Sequence, residues 1–132
     1  YAKIMKFTEP GQASGEGCNC LIDTLRQLIA PSACVEEIRV ILMHRFQVGP
    51  ERVTEDNYLT FHAHWREIVT LFGKDPEDFK ITCVDLNTRN GDIEGNENEE
   101  EIFNGTVTTL YIARENENHF IPLFKKAFCG GL

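Results

Sequence analysis

Two cysteines one residue apart, Cys18 and Cys20, follow Gly15 and Gly17, and a helical pattern of apolar residues begins directly after them. Thiols in such a place could ligate a metal, cycle as a redox pair or attack an electrophile. Structural zinc sites space cysteines as C-x₂₋₄-C. Cys18-Asn19-Cys20 is closer than that, and no CxxC occurs in the chain. His62-Ala63-His64 offers two imidazoles, but helix residues two apart point about 200° away from each other. A redox pair needs C-x-x-C in a βαβ setting. No metal and no other cofactor is therefore expected.

The nucleophile reading fits better. With the first helix opening near Asn19 or Cys20, the Cys20 thiol sits at a helix N-terminus. The partial positive charge there, about half an elementary charge, favours thiolate over thiol. Gly15 and Gly17 allow the backbone to turn its amides toward a reacting carbonyl oxygen. A cysteine nucleophile also needs a base, usually histidine. Of His44, His62, His64 and His119, the last stands out. It starts a strand directly after a polar turn, where a sheet could aim it at the helix opening.

The elements that must position these groups are legible as patterns. Leu21, Leu25, Leu28 and Ile29 have helical spacing, which Pro31 ends. A second helix is expected with Ser32 as cap, Glu36 and Glu37 in its first turn, and a stripe of Val35, Ile38, Ile41 and Leu42. A third is expected to be capped by Thr54 or Asp56, with a stripe from Tyr58 through Phe61, Trp65, Ile68 and Val69 to Phe72 and Gly73 beyond its end. Phe79 to Leu86, Thr106 to Ala113 and His119 to Phe124 read as strands, the last two as a hairpin. Pro122 argues that the last strand is at an edge or near its end. Helices first and strands second indicate α+β.

Composition sets the outer bounds. The 132 residues suit one domain, 1–132. The formal charge of −8 argues against nucleic acid, whose phosphates need Lys and Arg. It favours a basic protein partner. Part of it lies in Asp92 to Glu101, which reads as a solvated loop. No apolar run approaches a membrane span, and Tyr1 to Lys6 shows no signal-peptide core. A start at Tyr1 rather than Met reads as an excised domain. Five irregularly spaced cysteines indicate a reducing compartment with free thiols. Cys34, Cys83 and Cys129 are expected to be small core residues or inert.

Two segments together resemble a known family. Asn19-Cys20-Leu21-Ile22-Asp23-Thr24-Leu25 resembles the catalytic-cysteine segment of the OTU (ovarian tumour) cysteine proteases, usually Asp-Gly-Asn-Cys-Leu-Phe before a helix. Tyr111-Ile112-Ala113 through Asn118-His119-Phe120-Ile121-Pro122-Leu123 is similar to the family's closing hairpin, in which His-Tyr or His-Phe opens the last strand. The resemblance covers about twenty residues. It implies a papain-like α+β fold, with N-terminal helices packed on a small, mostly antiparallel sheet. It also implies hydrolysis of isopeptide bonds after the C-terminal glycine of ubiquitin or a ubiquitin-like protein. Cys20 would be the nucleophile and His119 the base. Amides from Gly17, Cys18 and Asn19 to Cys20 itself would bind the oxyanion.

The sequence departs from the family's pattern in two places. The usual Asp three residues before the nucleophile is Gly17, and the residue two after the histidine is Ile121, which cannot orient an imidazole. Glu9, Gln12 or Glu16 of the leading loop, or Asn118, are the substitutes considered; a Cys–His dyad is the other possibility. The resemblance further implies a compact, divergent member of the kind found among bacterial effectors and toxin modules. Such a protein would act as a monomer on ubiquitin or polyubiquitin in a reducing cytosol, its own or that of a host cell. A papain-like glutamine deamidase or transglutaminase, and an inactive ubiquitin-binding module, remain as alternatives.

Overall fold

The computed structural model describes residues 6–86, 92–95, 108–115 and 119–126. A short strand β1 (Thr8–Pro10) and a 3-10 turn (Glu16–Cys18) precede three helices, α1 (Cys20–Ile29), α2 (Val35–Arg45) and α3 (Phe61–Leu71). After a second 3-10 turn (Pro76–Asp78) come β2 (Phe79–Asp85), β3 (Asp92–Gly95), β4 (Thr108–Glu115) and β5 (His119–Lys125). The strands form one sheet in the order β1-β5-β4-β2-β3. The β1–β5, β4–β5 and β2–β3 pairs are antiparallel, and β2–β4 is parallel. The expected α+β architecture is present, with one parallel pair in an otherwise antiparallel sheet. No described helix is long and apolar enough to cross a membrane.

Strand alternation divides the core in two. Ile81, Cys83, Ile112 and Phe120 turn to the helices and join Leu21, Ile22, Leu25, Leu42, Phe61, Trp65 and Ile68 in one cluster. Val84, Ala113, Ile121 and Leu123 form a second cluster on the opposite face. Each fully buried Leu, Ile or Phe contributes about 1.5–3 kcal/mol of transfer free energy, so α1, with three such residues, is anchored over the sheet.

Several sequence expectations need correction. The second helix starts at Val35 with Cys34, not Ser32, as its N-cap, and Ile41 is 39% exposed rather than part of the buried stripe. The third starts at Phe61 with Thr60 as N-cap. Thr54 cannot cap it because the segment before it is held open: the Thr54 amide donates to Asn57 Oδ1, and the Thr54 and Asn57 carbonyls accept from Arg39. Gly73 has φ +83°, as expected just past a helix end. Within the acidic run, Asp92–Gly95 is a strand that covers the outer edge of β2, giving its backbone groups the partners an edge would lack. The rest of that run, Thr106, Asn118 and Cys129 lie outside the described residues.

Pro122 is not at an edge, because β5 lies between β1 and β4. Its carbonyl accepts from the Gly11 amide at 2.8 Å. The nitrogen of a strand residue points to the same side as its carbonyl, so the missing N–H faces the end of short β1 and no bond to β4 is lost.

Candidate active site

The first turn of α1 and the first residue of β5 meet. The Phe120 amide donates to Cys20 Sγ at 3.4 Å. Phe120 N is bonded to the His119 carbonyl carbon, so the sulfur lies within about 6 Å of the His119 Cα. From the other side, a methyl group placed on Gly15 would lie 3.8 Å from both Nδ1 and Cε1 of the His119 ring. The pairing of β1 with β5, extended by Gly11, leads the chain back along β5 toward this point. The 3-10 turn then delivers it into α1.

Burial decides the state of the thiol. Cys20 is 2% exposed. Desolvation pushes its pKa above the ordinary 9.0, outweighing the Phe120, Leu21 and Cys20 amides that pull it down, while Cys18 adds to the rise. The expectation that the helix N-terminus would favour thiolate is overturned for the resting molecule. A half-charge at a helix end is a smaller effect than removing the sulfur from water.

The turn before Cys20 is held in an unusual conformation. Gly17 has φ +64° and Cys18 φ +60°, the latter a left-handed state that costs a residue with a Cβ about 1–3 kcal/mol. Cys18 Sγ donates to the Asp56 carbonyl at 3.2 Å. The Cys18 and Asn19 amides donate to the Gly15 and Glu16 carbonyls. Of the expected oxyanion donors, these two are therefore engaged inside the turn.

Two residues that the motifs did not single out brace this segment. Asp23, one turn into α1 and 7% exposed, accepts from the Ser14 amide at 2.8 Å, from Arg26 at 2.8 and 2.9 Å and from Gln27 at 3.2 Å. Burial raises its pKa, but these donors and the Arg26 charge together outweigh that and leave it below the usual carboxylate value. Arg39, on the buried side of α2 and 5% exposed, reaches Asn19 Oδ1, the Gly17 and Cys18 carbonyls and the Thr54–Asn57 segment. Its presence between Ile38 and Leu42, one helical turn after Val35, is the sequence signal that could have found it.

The other candidates are spread out. Glu9 and Glu16 are exposed, as is Gln12, whose carbonyl accepts from Gln27 Nε2 at 2.7 Å. No hydrogen bond joins any of these side chains to His119 among the described residues. Ile121 is 5% exposed in the apolar cluster. The residue directly across the ladder from His119 is Glu115. In an antiparallel pair, opposite residues share a face with Cβ atoms about 5 Å apart.

His64 is buried, with Nδ1 at the Thr60 amide and Nε2 at the Glu51 carbonyl, and His62 is exposed. Cys83 is buried as expected, whereas Cys34 is exposed beside Glu36. No group of three metal-ligating side chains stands together among the described residues. A cleft of about 610 Å³ lined by Met43, Val53 and Asp56 contains neither Cys20 nor His119.

No family model matches the chain, and no curated protein matches it. Solved structures do. An OTU deubiquitinase from Wolbachia pipientis wMel superposes with a TM-score of 0.57 at 14% identity, over 89% of this chain and 88% of that one. The Hazara virus OTU, in a structure bound to ubiquitin, superposes with a TM-score of 0.51 at 19% identity, over 94% of this chain and 85% of that one. At these identities the likeness speaks for architecture, and the chain has the fold of the OTU deubiquitinases.

Proposed function

We propose that this chain is a thiol-dependent isopeptidase acting on ubiquitin or a ubiquitin-like protein, with Cys20 as nucleophile and His119 as general base. The observation that carries the reading is the bond from the Phe120 amide to Cys20 Sγ, which unites the helix opening with the strand that His119 begins. The fold shared with two OTU proteins, one of them bound to ubiquitin, supports the same substrate class. The net charge of −8 suits a basic partner.

The raised thiol pKa gives the mechanism its order. The resting sulfur carries its proton, so His119 takes it as the sulfur attacks the carbonyl of the terminal glycine. The tetrahedral oxyanion would be met by backbone amides at the helix opening, those of Gly17 and Cys20. Collapse releases the amine, protonated by His119, and leaves a thioester that water hydrolyses. Glu115 is the side chain best sited to orient the imidazole, because Ile121 cannot and the ladder sets Glu115 opposite His119.

Incubation with a panel of ubiquitin dimers, wild type beside Cys20→Ala, tests this. Cleavage by wild type and none by the variant is expected, along with labelling of Cys20 by a ubiquitin C-terminal electrophile. Equal cleavage by both proteins refutes the nucleophile assignment. Binding of ubiquitin without cleavage or labelling would instead favour the binding module, which the buried thiol makes the second reading.

A further inference from the structure

An arginine on the core side of a helix needs an explanation, and Arg39 has one that bears on Cys20. Its guanidinium meets six oxygens: Asn19 Oδ1 at 2.6 Å, the Cys18 carbonyl at 2.6 Å, the Gly17 carbonyl at 3.3 Å, the Thr54 and Asn57 carbonyls at 3.0 and 3.2 Å, and Asn57 Oδ1 at 3.3 Å. No carboxylate pairs with it among the described residues. Four main-chain dipoles and two side-chain amides therefore compensate a buried charge that would otherwise be costly.

Three consequences fall on the residues just before the nucleophile. First, Arg39 holds the carbonyls of both left-handed residues, Gly17 and Cys18. A strained conformation persists only where its surroundings over-determine it. Second, Asn19 occupies the N-cap position of α1 but makes no side-chain capping bond. An asparagine there would ordinarily accept from an amide of the first turn; here its oxygen goes to Arg39. The Leu21 and Cys20 amides act on the sulfur instead. Third, one cation ties the nucleophile turn to the Thr54–Asn57 segment, which also accepts the Cys18 thiol.

We propose that Arg39 is a positioning residue of the site: by drawing the Asn19 side chain and the Gly17 and Cys18 carbonyls to itself, it fixes the turn that presents Cys20 and keeps the Asn19 side chain from capping the first amides of α1. This rests on the isopeptidase reading. Arg39 lies directly against the turn, with the Cys18 carbonyl at 2.6 Å, and burial pulls its own pKa down. The other charged or titratable groups around Cys20 are His119 at the head of β5, Cys18 in the turn, and Asp23, which is paired with Arg26 on α1 itself. On α3, Arg66 lies over Trp65, Glu67 pairs with Arg45, His64 is bonded to the backbone at Thr60 and Glu51, and His62 is exposed.

The test compares Arg39→Lys and Arg39→Gln with wild type in two assays. Lysine keeps the charge but cannot span the six oxygens with one ammonium. On a ubiquitin substrate, Arg39→Lys should lower kcat about tenfold or more with KM little changed. Iodoacetamide labelling of Cys20, resolved from Cys18 by tandem mass spectrometry and followed against pH, needs no substrate. Arg39 fixes the turn that leads into the buried Cys20, so Cys20 should label faster than in wild type at each pH in both variants, and faster in Arg39→Gln than in Arg39→Lys. If a variant fails to fold, the same comparison is made in a Cys18→Gly background, where glycine removes the left-handed strain; there the kcat loss should shrink.

A folded Arg39→Lys with wild-type kcat, or a folded Arg39→Gln in which Cys20 labels at the wild-type rate, overturns the proposal. If wild type cleaves nothing, the isopeptidase reading has failed, and the labelling profiles alone still decide whether Arg39 governs Cys20.

Discussion

The amide of Phe120 reaches the sulfur of Cys20 at 3.4 Å across 100 positions of sequence. The phenyl ring of Phe120 packs in the same core cluster as Leu21 and Ile22, so the contact that joins α1 to β5 is also part of the core. Strand β5 therefore fixes the histidine before it by burying the residue after it. The same contact explains why the thiol is withdrawn from water.

Replacing Cys20 by Ala should abolish cleavage, while Cys18→Ala should retain it to within a few-fold. Cys18 Sγ is turned away to the Asp56 carbonyl and is not held by β5. Gel assays of dimer cleavage, with circular dichroism to confirm folding, check both. Activity in Cys20→Ala and none in Cys18→Ala would mean the roles are exchanged.

Resting Cys20 should react slowly with iodoacetamide at pH 7, more slowly than exposed Cys34. A raised folded-state pKa keeps the neutral thiol dominant, and only thiolate alkylates. The rate at Cys20 should still be climbing past pH 9. Site-resolved labelling between pH 6 and 10 measures this, and a plateau near neutrality would contradict it.

How much of this was legible in the sequence follows from how local each signal is. Cys20 at a helix opening and His119 at a strand start depend on neighbours within a few residues, and glycine spacing and a polar turn mark both. The start of α3 was misread because Tyr58 continues the apolar stripe, yet that segment is held open by Asn57 and by Arg39, distant in sequence. Ile41 fits the stripe of α2 but faces outward, because Arg39 takes the buried position. The sign of the thiol's shift also lay beyond reach, since burial depends on β5 docking. Long-range braces and desolvation leave no periodic trace in a chain.

Asp23→Asn should destabilise the protein by about 1–3 kcal/mol at pH 7, because an amide cannot match the ionised acceptor's bonds to the Ser14 amide, Arg26 and Gln27. The folded carboxyl has a lowered pKa. Its contribution is thus complete above the unfolded carboxylate value of about 3.9 and is lost as pH falls through the folded value. Urea melts of both proteins should show a gap that is constant from pH 7 to pH 5 and closes in acid. A gap that widens as the pH drops would show that Asp23 is not held as an anion.

Glu115→Gln addresses the missing orienting residue. Ile121 is fixed in an apolar cluster, so no polar group can come from two positions after His119. The ladder sets Glu115 opposite His119, with Cβ atoms about 5 Å apart on one face, a span that a glutamate rotamer can bridge to an imidazole nitrogen. An orienting carboxylate acts on the base and not on substrate binding. Glu115→Gln should therefore lower kcat about tenfold or more with KM little changed, and Glu115→Asp should recover part of the loss. Glu115 and His119 are partly buried at the end of the ladder, and a Glu115 substitution that keeps the side chain polar should change the melting temperature little. Wild-type kcat in Glu115→Gln would leave Cys20 and His119 working as a dyad, and a rise in KM alone would make Glu115 a substrate contact.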